Sequence, residues 1–324
     1  MVRAVICKAF GPPENLVVET VEDPRPGEGE VCVDMRAVAI TFPETLIIED
    51  RYQFKATPPF IPGGEVAGVV SAVGPGVSGV AVGDDVIGGG GKGGFAERVI
   101  VPATSIRPLT KGLDYAQATG FGYAYGTGYY ALKFRGALRA GETLLVLGAA
   151  GSVGLAAIEV GKLMGARVIA AASTEEKLAL CRERGADETI DYNREDLKNR
   201  AKEITGGNGV DVVYDAVGGD YAEPALRALA WRGRFLVIGF TAGIPSIPLN
   251  LALLKGCSIV GVFWGAARSK EPEVFQKMSQ ELEAHAASGA LSPLVSRRYS
   301  LEEVPQALRD MLDRKVLGKI VAES

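Results

Sequence analysis

The sequence predicts an α/β chain of two domains, one a doubly wound parallel sheet and the other a smaller, mostly-β, barrel-like unit. Three observations carry that reading. Residues 144–154 run Leu-Leu-Val-Leu-Gly-Ala-Ala-Gly-Ser-Val-Gly and are followed by an apolar, helix-compatible stretch, so they read as strand, tight turn and helix. From about residue 122, short apolar runs alternate with helical patterns, as in a parallel sheet with crossover helices. Residues 1–120 instead carry many short period-2 runs separated by Gly/Pro turns.

The first domain takes strands from residues 2–7, 16–20, 31–37, 65–73 and 80–87, with turns at 24–29, 74–76 and 83–85. Pro43 and Glu44 mark a helix start at 43–50, because proline fits the first turn and acids favour it. The glycines at 88–94 read as a loop with no phosphate role, since no helix follows. A helix over 123–134 leads into the central strand. Strands then follow at 167–171, 188–190, 210–216, 234–239 and 258–263, six with the strand before the glycine turn. Helices fall at 175–184, closed by Gly185, at 194–204 and at 221–229. The tail has a helix at 273–287, a strand at 294–299, a capping box at Ser300-Leu-Glu-Glu and a last strand from Gly318. That tail returns to the first domain, so the domains are 1–121 with 269–324, and 122–268.

The glycine turn carries the chemistry. A strand, a small-residue turn and a helix start leave backbone N–H groups facing outward, which is a cradle for a pyrophosphate. An NAD site places an acid about 20 residues past the glycines, on the ribose 2′-hydroxyl. Here Ser173 stands at that strand end and Lys177 follows one helical turn later, with no carboxylate on the strand end. A hydroxyl and an ammonium suit a 2′-phosphate, so the expected cofactor is NADPH.

Composition narrows the partners. The 324 residues are 47% hydrophobic and 23% charged with a net charge of −4 and no basic block, which disfavours nucleic acid and anionic membranes. No apolar run reaches the ~20 residues of a membrane span, and the N-terminus lacks a signal-peptide layout. Cys7, Cys32, Cys181 and Cys257 are scattered, so a reducing, cytoplasmic setting is expected. Zinc would require Cys and His ligands. The only histidine, His285, sits among alanines as an expected exposed helix residue, and no cysteine lies near residue 40. Where a Gly-His-Glu ligand would fall, the chain reads Gly63-Gly64-Glu65. No metal site is expected.

The segments Pro62-Gly-Gly-Glu-Val-Ala-Gly-Val-Val, Val82-Gly-Asp-Asp-Val-Ile, Ala149-Ala-Gly-Ser-Val-Gly and Gly318-Lys-Ile resemble the zinc-independent quinone oxidoreductase, or zeta-crystallin-like, branch of the medium-chain dehydrogenase/reductase superfamily. The resemblance spans essentially the whole chain and implies a GroES-like catalytic domain and a Rossmann domain that binds NADPH. It assigns the pyrophosphate to Gly151, Ser152, Val153 and Gly154, and the adenosine phosphate end to Ser173, Lys177 and Tyr192. It assigns the nicotinamide side to Thr127, Tyr130, Gly239, Phe240 and Phe263. The acceptor end departs from the family pattern of Asn-Phe, an acid and two tyrosines. Here it reads Thr41-Phe-Pro-Glu44-Thr-Leu46, and only Tyr52 of the two tyrosines is present.

The implied reaction is hydride transfer to a quinone, with Thr41 and Tyr52 orienting the acceptor carbonyl and the proton coming from water or Tyr52. Phe42, Tyr52, Phe263 and Trp264 offer aromatic faces for a flat ring, and equally for packing. The alternatives are an NADPH-dependent reductase of α,β-unsaturated ketones or enoyl thioesters, and an NADPH-binding protein without turnover. The apolar strand at 258–263 reads as an exposed sheet edge through which two copies form a homodimer.

Overall fold

The computed structural model describes residues 1–53 and 55–324. Two compact units emerge, Met1–Phe121 with Ala286–Ser324, and Gly122–His285. The second holds a six-stranded sheet in the spatial order Glu188–Asp191, Arg167–Ala172, Thr143–Leu147, Val210–Asp215, Leu229–Val237 and Ser258–Gly261. Every neighbouring pair is parallel. In chain order this is 3-2-1-4-5-6, the doubly wound dinucleotide-binding arrangement. Leu144, Leu145, Val146 and Leu147 are all buried, as expected where both faces of a parallel sheet are covered.

Helix Ser152–Leu163 lies close on this sheet because its inward face carries glycine where a side chain would not fit. A Cβ at Gly154 would lie 2.4 Å from the Gly148 carbonyl oxygen and 2.7 Å from Ala149 Cα. Two turns later, a Cβ at Gly161 would lie 2.8 Å from Leu144 Cδ2. Gly148 itself turns the chain at φ +65°, a conformation that costs a residue with a Cβ.

Several boundaries differ from the sequence reading. The fifth strand starts at Leu229, directly after helix Ala222–Ala228, and ends at Val237 rather than 239. It bends where Arg232 adopts φ +62°, a backbone feature that residue periodicity does not encode. The edge strand stops at Gly261, and Phe263 precedes a helix, Trp264–Lys270, whose small residues gave no apolar stripe. The return to the first unit falls at 286 rather than 269. Helix Pro272–Ala287 packs on the second unit, with Phe275 stacked on Trp264 at 5.1 Å and Glu281 accepting from Tyr129 and Lys133.

In the first unit a seven-stranded sheet is built on the long strand Glu30–Ile40, which pairs with Val66–Val73, Arg98–Pro102 and the C-terminal Lys319–Glu323. The last of these runs antiparallel with Ile320 opposite Ile40, so the chain's end completes the sheet begun near its start. Val31, Val33, Met35, Val38, Phe95, Leu308 and Ile320 form its core. Helix Phe42–Ile47 leaves the end of Glu30–Ile40, and helix Val304–Leu312 packs against it. Among the described residues no helix is long and apolar enough to cross a membrane.

Replacing Gly154 by Val drives a side chain into main-chain atoms that cannot move aside. The expected loss is about 1–3 kcal/mol or more, read as a lowered thermal midpoint. An unchanged midpoint contradicts the close approach of helix and sheet.

Candidate nucleotide and acceptor sites

In the second unit, the turn after Thr143–Leu147 is held by backbone bonds. Ala149 N–H donates to the Ala171 carbonyl at 3.1 Å and Gly151 N–H to the Gly148 carbonyl at 3.0 Å. Gly151 then caps helix Ser152–Leu163 with extended backbone, φ −78° and ψ 168°. The N–H groups of Ser152, Val153 and Gly154 occupy the first helical turn, where no carbonyl lies one turn back to accept them. Their partial positive charge and the bare glycine surface suit a pyrophosphate, so these residues fit the cofactor that the sequence implies.

The end of strand Arg167–Ala172 gathers the residues expected at the adenosine end. Lys177 Nζ donates to Ser173 Oγ at 3.3 Å, and Thr174 caps helix Glu175–Glu183 by accepting from Lys177 N–H. Tyr192 N–H donates to the Ala172 carbonyl at 3.2 Å, and its ring packs on Tyr221 at 4.5 Å between centroids. Glu175 and Glu176 are exposed, and Glu175 pairs with Arg182, so neither acid occupies the strand end. Asn193, which the sequence reading did not single out, donates from Nδ2 to the Ser173 carbonyl at 2.8 Å and braces that residue. Its position one turn past the third strand was the only available signal.

Of the residues assigned to the nicotinamide side, Gly239, Phe240 and Phe263 follow the ends of two neighbouring strands, Leu229–Val237 and Ser258–Gly261. Gly239 N–H donates to the Asp215 carbonyl at 3.2 Å, and Phe240, 44% exposed, leans over Gly218. Phe263 is half exposed beside Gly265. Thr127 is buried, and its hydroxyl donates back to the Tyr123 carbonyl at 2.6 Å within its own helix. Tyr130 is buried too, and its hydroxyl donates to Glu271 at 3.0 Å. Trp264 stacks on Phe275 and fills space over Gly126, where a Cβ would lie 2.7 Å from its ring. That ring is packing rather than an open wall. His285 is half-buried with its ring 6.2 Å from that of Tyr129, not an exposed helix residue, because helix Pro272–Ala287 turns that face inward.

Asp215 was also missed. It ends the fourth strand, is 2% exposed, and its Oδ1 accepts from Val217 N–H at 2.9 Å and Gly218 N–H at 2.8 Å. Burial holds its carboxyl above the usual range against the pull of those two donors. Its place next to the Gly148 turn, where the strand order reverses, is the position at which doubly wound sheets hold ligands.

In the first unit, Thr41 caps helix Phe42–Ile47 and is partly exposed. Glu44, one turn on, is 5% exposed, and its Oε2 accepts from Thr41 N–H at 2.9 Å and from the Thr41 hydroxyl. Gly64 lies beside it, and a Cβ there would sit 3.5 Å from Glu44 Oε1. Burial pushes the Glu44 carboxyl up to about 7, despite the donors from Thr41 and Gly64. Tyr52 is half-buried, and burial together with the Glu44 charge raises its phenol. The glycine loop packs main chain on main chain here, Gly94 N–H donating to the Gly63 carbonyl at 3.0 Å, so it is a structural support for this segment.

At the position where a Gly-His-Glu zinc ligand would fall, the residue is Gly64, followed by Glu65. Glu65 accepts from Gly120 N–H at 2.8 Å and pairs with Arg107 at 3.4 Å. Among the described residues, no three His, Cys, Asp or Glu side chains converge to hold a metal ion.

Residues 27–111 match the family model of the alcohol dehydrogenase GroES-like domain, and residues 152–283 that of the zinc-binding dehydrogenase. The chain is 39% identical over 324 residues to a quinone oxidoreductase-like protein 2 homolog of Nematostella vectensis, covering 98% of this chain and 88% of that one. The crystal structure of a probable oxidoreductase from Mycobacterium abscessus superposes with TM-score 0.91 at 39% identity, covering 100% of this chain and 99% of that one. The Escherichia coli quinone oxidoreductase complexed with NADPH superposes with TM-score 0.91 at 29% identity, covering 99% and 100%.

Asp215→Ala leaves two buried N–H groups without an acceptor, at about 1–3 kcal/mol for each. A lowered thermal midpoint is expected, with most of the loss recovered in Asp215→Asn, whose carbonyl still accepts. Equal midpoints for the two variants contradict this role.

Proposed function

The chain belongs to the quinone oxidoreductase family of the medium-chain dehydrogenase/reductase superfamily, and from that premise we propose that it is a zinc-independent, NADPH-dependent reductase of quinones. The observation that carries the reading is the group of Ser173, Lys177 and Asn193 at the end of the second strand, next to the glycine-capped helix. A hydroxyl and an ammonium there would bind a 2′-phosphate, whereas an NAD site would place a carboxylate. NADPH, when bound, supplies a hydride. The part of this chain is to hold the pyrophosphate on the N–H groups of Ser152, Val153 and Gly154, and to select the phosphorylated nucleotide with Ser173 and Lys177. Tyr192 would add an aromatic surface at the same end.

At the acceptor end, Thr41 and Tyr52 would orient a carbonyl by hydrogen bonding. Quinones and activated alkenes accept hydride without a Lewis acid, and among the described residues no three His, Cys, Asp or Glu side chains converge to hold a metal ion. The same chemistry serves α,β-unsaturated ketones and enoyl thioesters. Leu46 and the single Tyr52 leave this end less polar than the usual family pattern, so an apolar enone is the second reading.

The edge strand Ser258–Gly261 pairs on one side only, with Leu229–Val237. Ile259 on that strand and Leu253 and Leu254 on the preceding helix are 39%, 80% and 67% exposed. An apolar open edge of this kind pairs readily with a second copy, and we propose a homodimer through it.

Calorimetry should show tighter binding of NADPH than of NADH. Lys177→Ala with Ser173→Ala should weaken NADPH by about 10- to 100-fold, the value of charge-assisted bonds to a phosphate, and leave NADH nearly unaffected. Equal loss for both nucleotides argues against the 2′-phosphate site. Light scattering should give twice the 34.0 kDa chain mass, and Ile259→Lys should return it to one. A monomeric wild type ends the dimer reading.

A further inference from the structure

We propose that Glu44 is a positioning residue that sets the direction of the Thr41 hydroxyl and, through it, delivers the proton that completes reduction of a carbonyl acceptor. The inference rests on the reductase reading above and deepens it.

Glu44 is buried while Thr41 is partly exposed, so within this pair only the Thr41 hydroxyl can meet an acceptor. The bond between Thr41 Oγ1 and Glu44 Oε2 ties the two together. An ionised carboxylate only accepts hydrogen bonds, so it claims the single O–H of Thr41 and leaves lone pairs facing outward. Those lone pairs cannot bind a carbonyl oxygen. A protonated Glu44 has its own O–H to give. Thr41 Oγ1 then accepts from Glu44, and its hydrogen is free to donate to the acceptor.

A capping box asks of this Glu side chain only the bond from Thr41 N–H, the other half running from Glu44 N–H to the Thr41 hydroxyl oxygen, and an exposed Glu makes its bond equally well. Burial of the carboxyl adds a second property: both protonation states lie within reach near neutral pH. Among the described residues no cation is paired with it. Tyr52 faces it with a neutral phenol. On helix Val304–Leu312, packed against its own helix, Arg309 pairs with Glu14, and Asp310 accepts from Tyr299 and Gln306. Beyond Gly64, Glu65 pairs with Arg107, and the buried Lys319 donates to the Gln117 carbonyl.

Two-electron reduction of a quinone or enone adds a hydride and a proton. The acceptor gains the electron pair that the cofactor loses. The Thr41 O–H bond breaks as the acceptor O–H bond forms, Thr41 Oγ1 takes the Glu44 proton, and Glu44 is left ionised until water reprotonates it.

Two measurements test this. With NADPH and 1,4-benzoquinone as probe, kcat/KM should fall tenfold per pH unit above the Glu44 pKa of about 7. Glu44→Gln, whose amide donates to Thr41 at every pH, should lose that alkaline limb and run at a lower plateau. Thr41→Val should lose about a hundredfold in rate, with Thr41→Ser restoring both rate and limb. Independently of turnover, carbon-13 NMR of the glutamate-labelled, nucleotide-free chain should show one carboxyl titrating near 7, absent in Glu44→Gln. An alkaline limb that survives in Glu44→Gln, or a Glu44 carboxyl with ordinary titration, overturns the inference. Absence of turnover with every quinone and enone overturns the reductase reading and the proton delivery. The control of hydroxyl direction then stands or falls with the NMR titration.

Discussion

The approach of main chain to main chain at residues 148–154 is the constraint on which the second unit depends. A Cβ at position 154 would lie 2.4 Å from the Gly148 carbonyl oxygen, so only glycine fits there. The same closeness brings the helix start to the end of the central strand and aims its first N–H groups past the sheet. The closeness that sets the packing therefore also sets the direction of those N–H groups. A side chain at 154 would push the helix off the sheet and swing the N–H groups away from the position a phosphate would take.

Around that turn the structure places polar groups where burial makes each of them consequential. Asp215 is buried at the end of the fourth strand and satisfies two backbone donors, which shapes the loop that leaves the sheet beside Gly148. Glu44, in the other unit, is buried under a helix cap and accepts from the partly exposed Thr41 hydroxyl. The two acids look alike in burial but differ in partners. Asp215 accepts from main-chain amides, which cannot rotate, so its role is to hold shape. Glu44 accepts from main-chain amides too, and in addition from a hydroxyl whose hydrogen can turn, so its protonation state has a consequence beyond its own position. The hydroxyls of Thr127 and Tyr130 are likewise bonded inside their own unit, to the Tyr123 carbonyl and to Glu271.

The first unit shows how a distant segment completes a local surface. Lys319–Glu323 closes the sheet on Glu30–Ile40, the strand from which helix Phe42–Ile47 departs. Lys319 itself is buried, donates to the Gln117 carbonyl at 2.8 Å, and has its ammonium pulled down to about 7 by that burial. The Gly-Lys-Ile segment thus ties residues 318–320 to the strand from which helix Phe42–Ile47 departs.

Local order was legible in the residues because it is written in local terms. Alternating apolar runs and helical stripes specify a parallel sheet, and a strand followed by small residues and a helix specifies the turn at Gly148–Gly154. The pairing of Ser173 with Lys177 was readable for the same reason, since four residues on a helix start share a face. What lay outside the sequence were contacts between segments far apart in the chain. Asn193 reaches Ser173 from the end of the neighbouring strand, helix Pro272–Ala287 joins the second unit through Tyr129 and Trp264, and Trp264 stacks on Phe275, one of the two roles its residue type left open. The protonation of Glu44 belongs to the same group, because a carboxylate's pKa depends on how much water the rest of the fold leaves around it. Periodicity and turn chemistry settled which elements form and in what order; only the packed chain decided which polar groups are dry and which side chains meet.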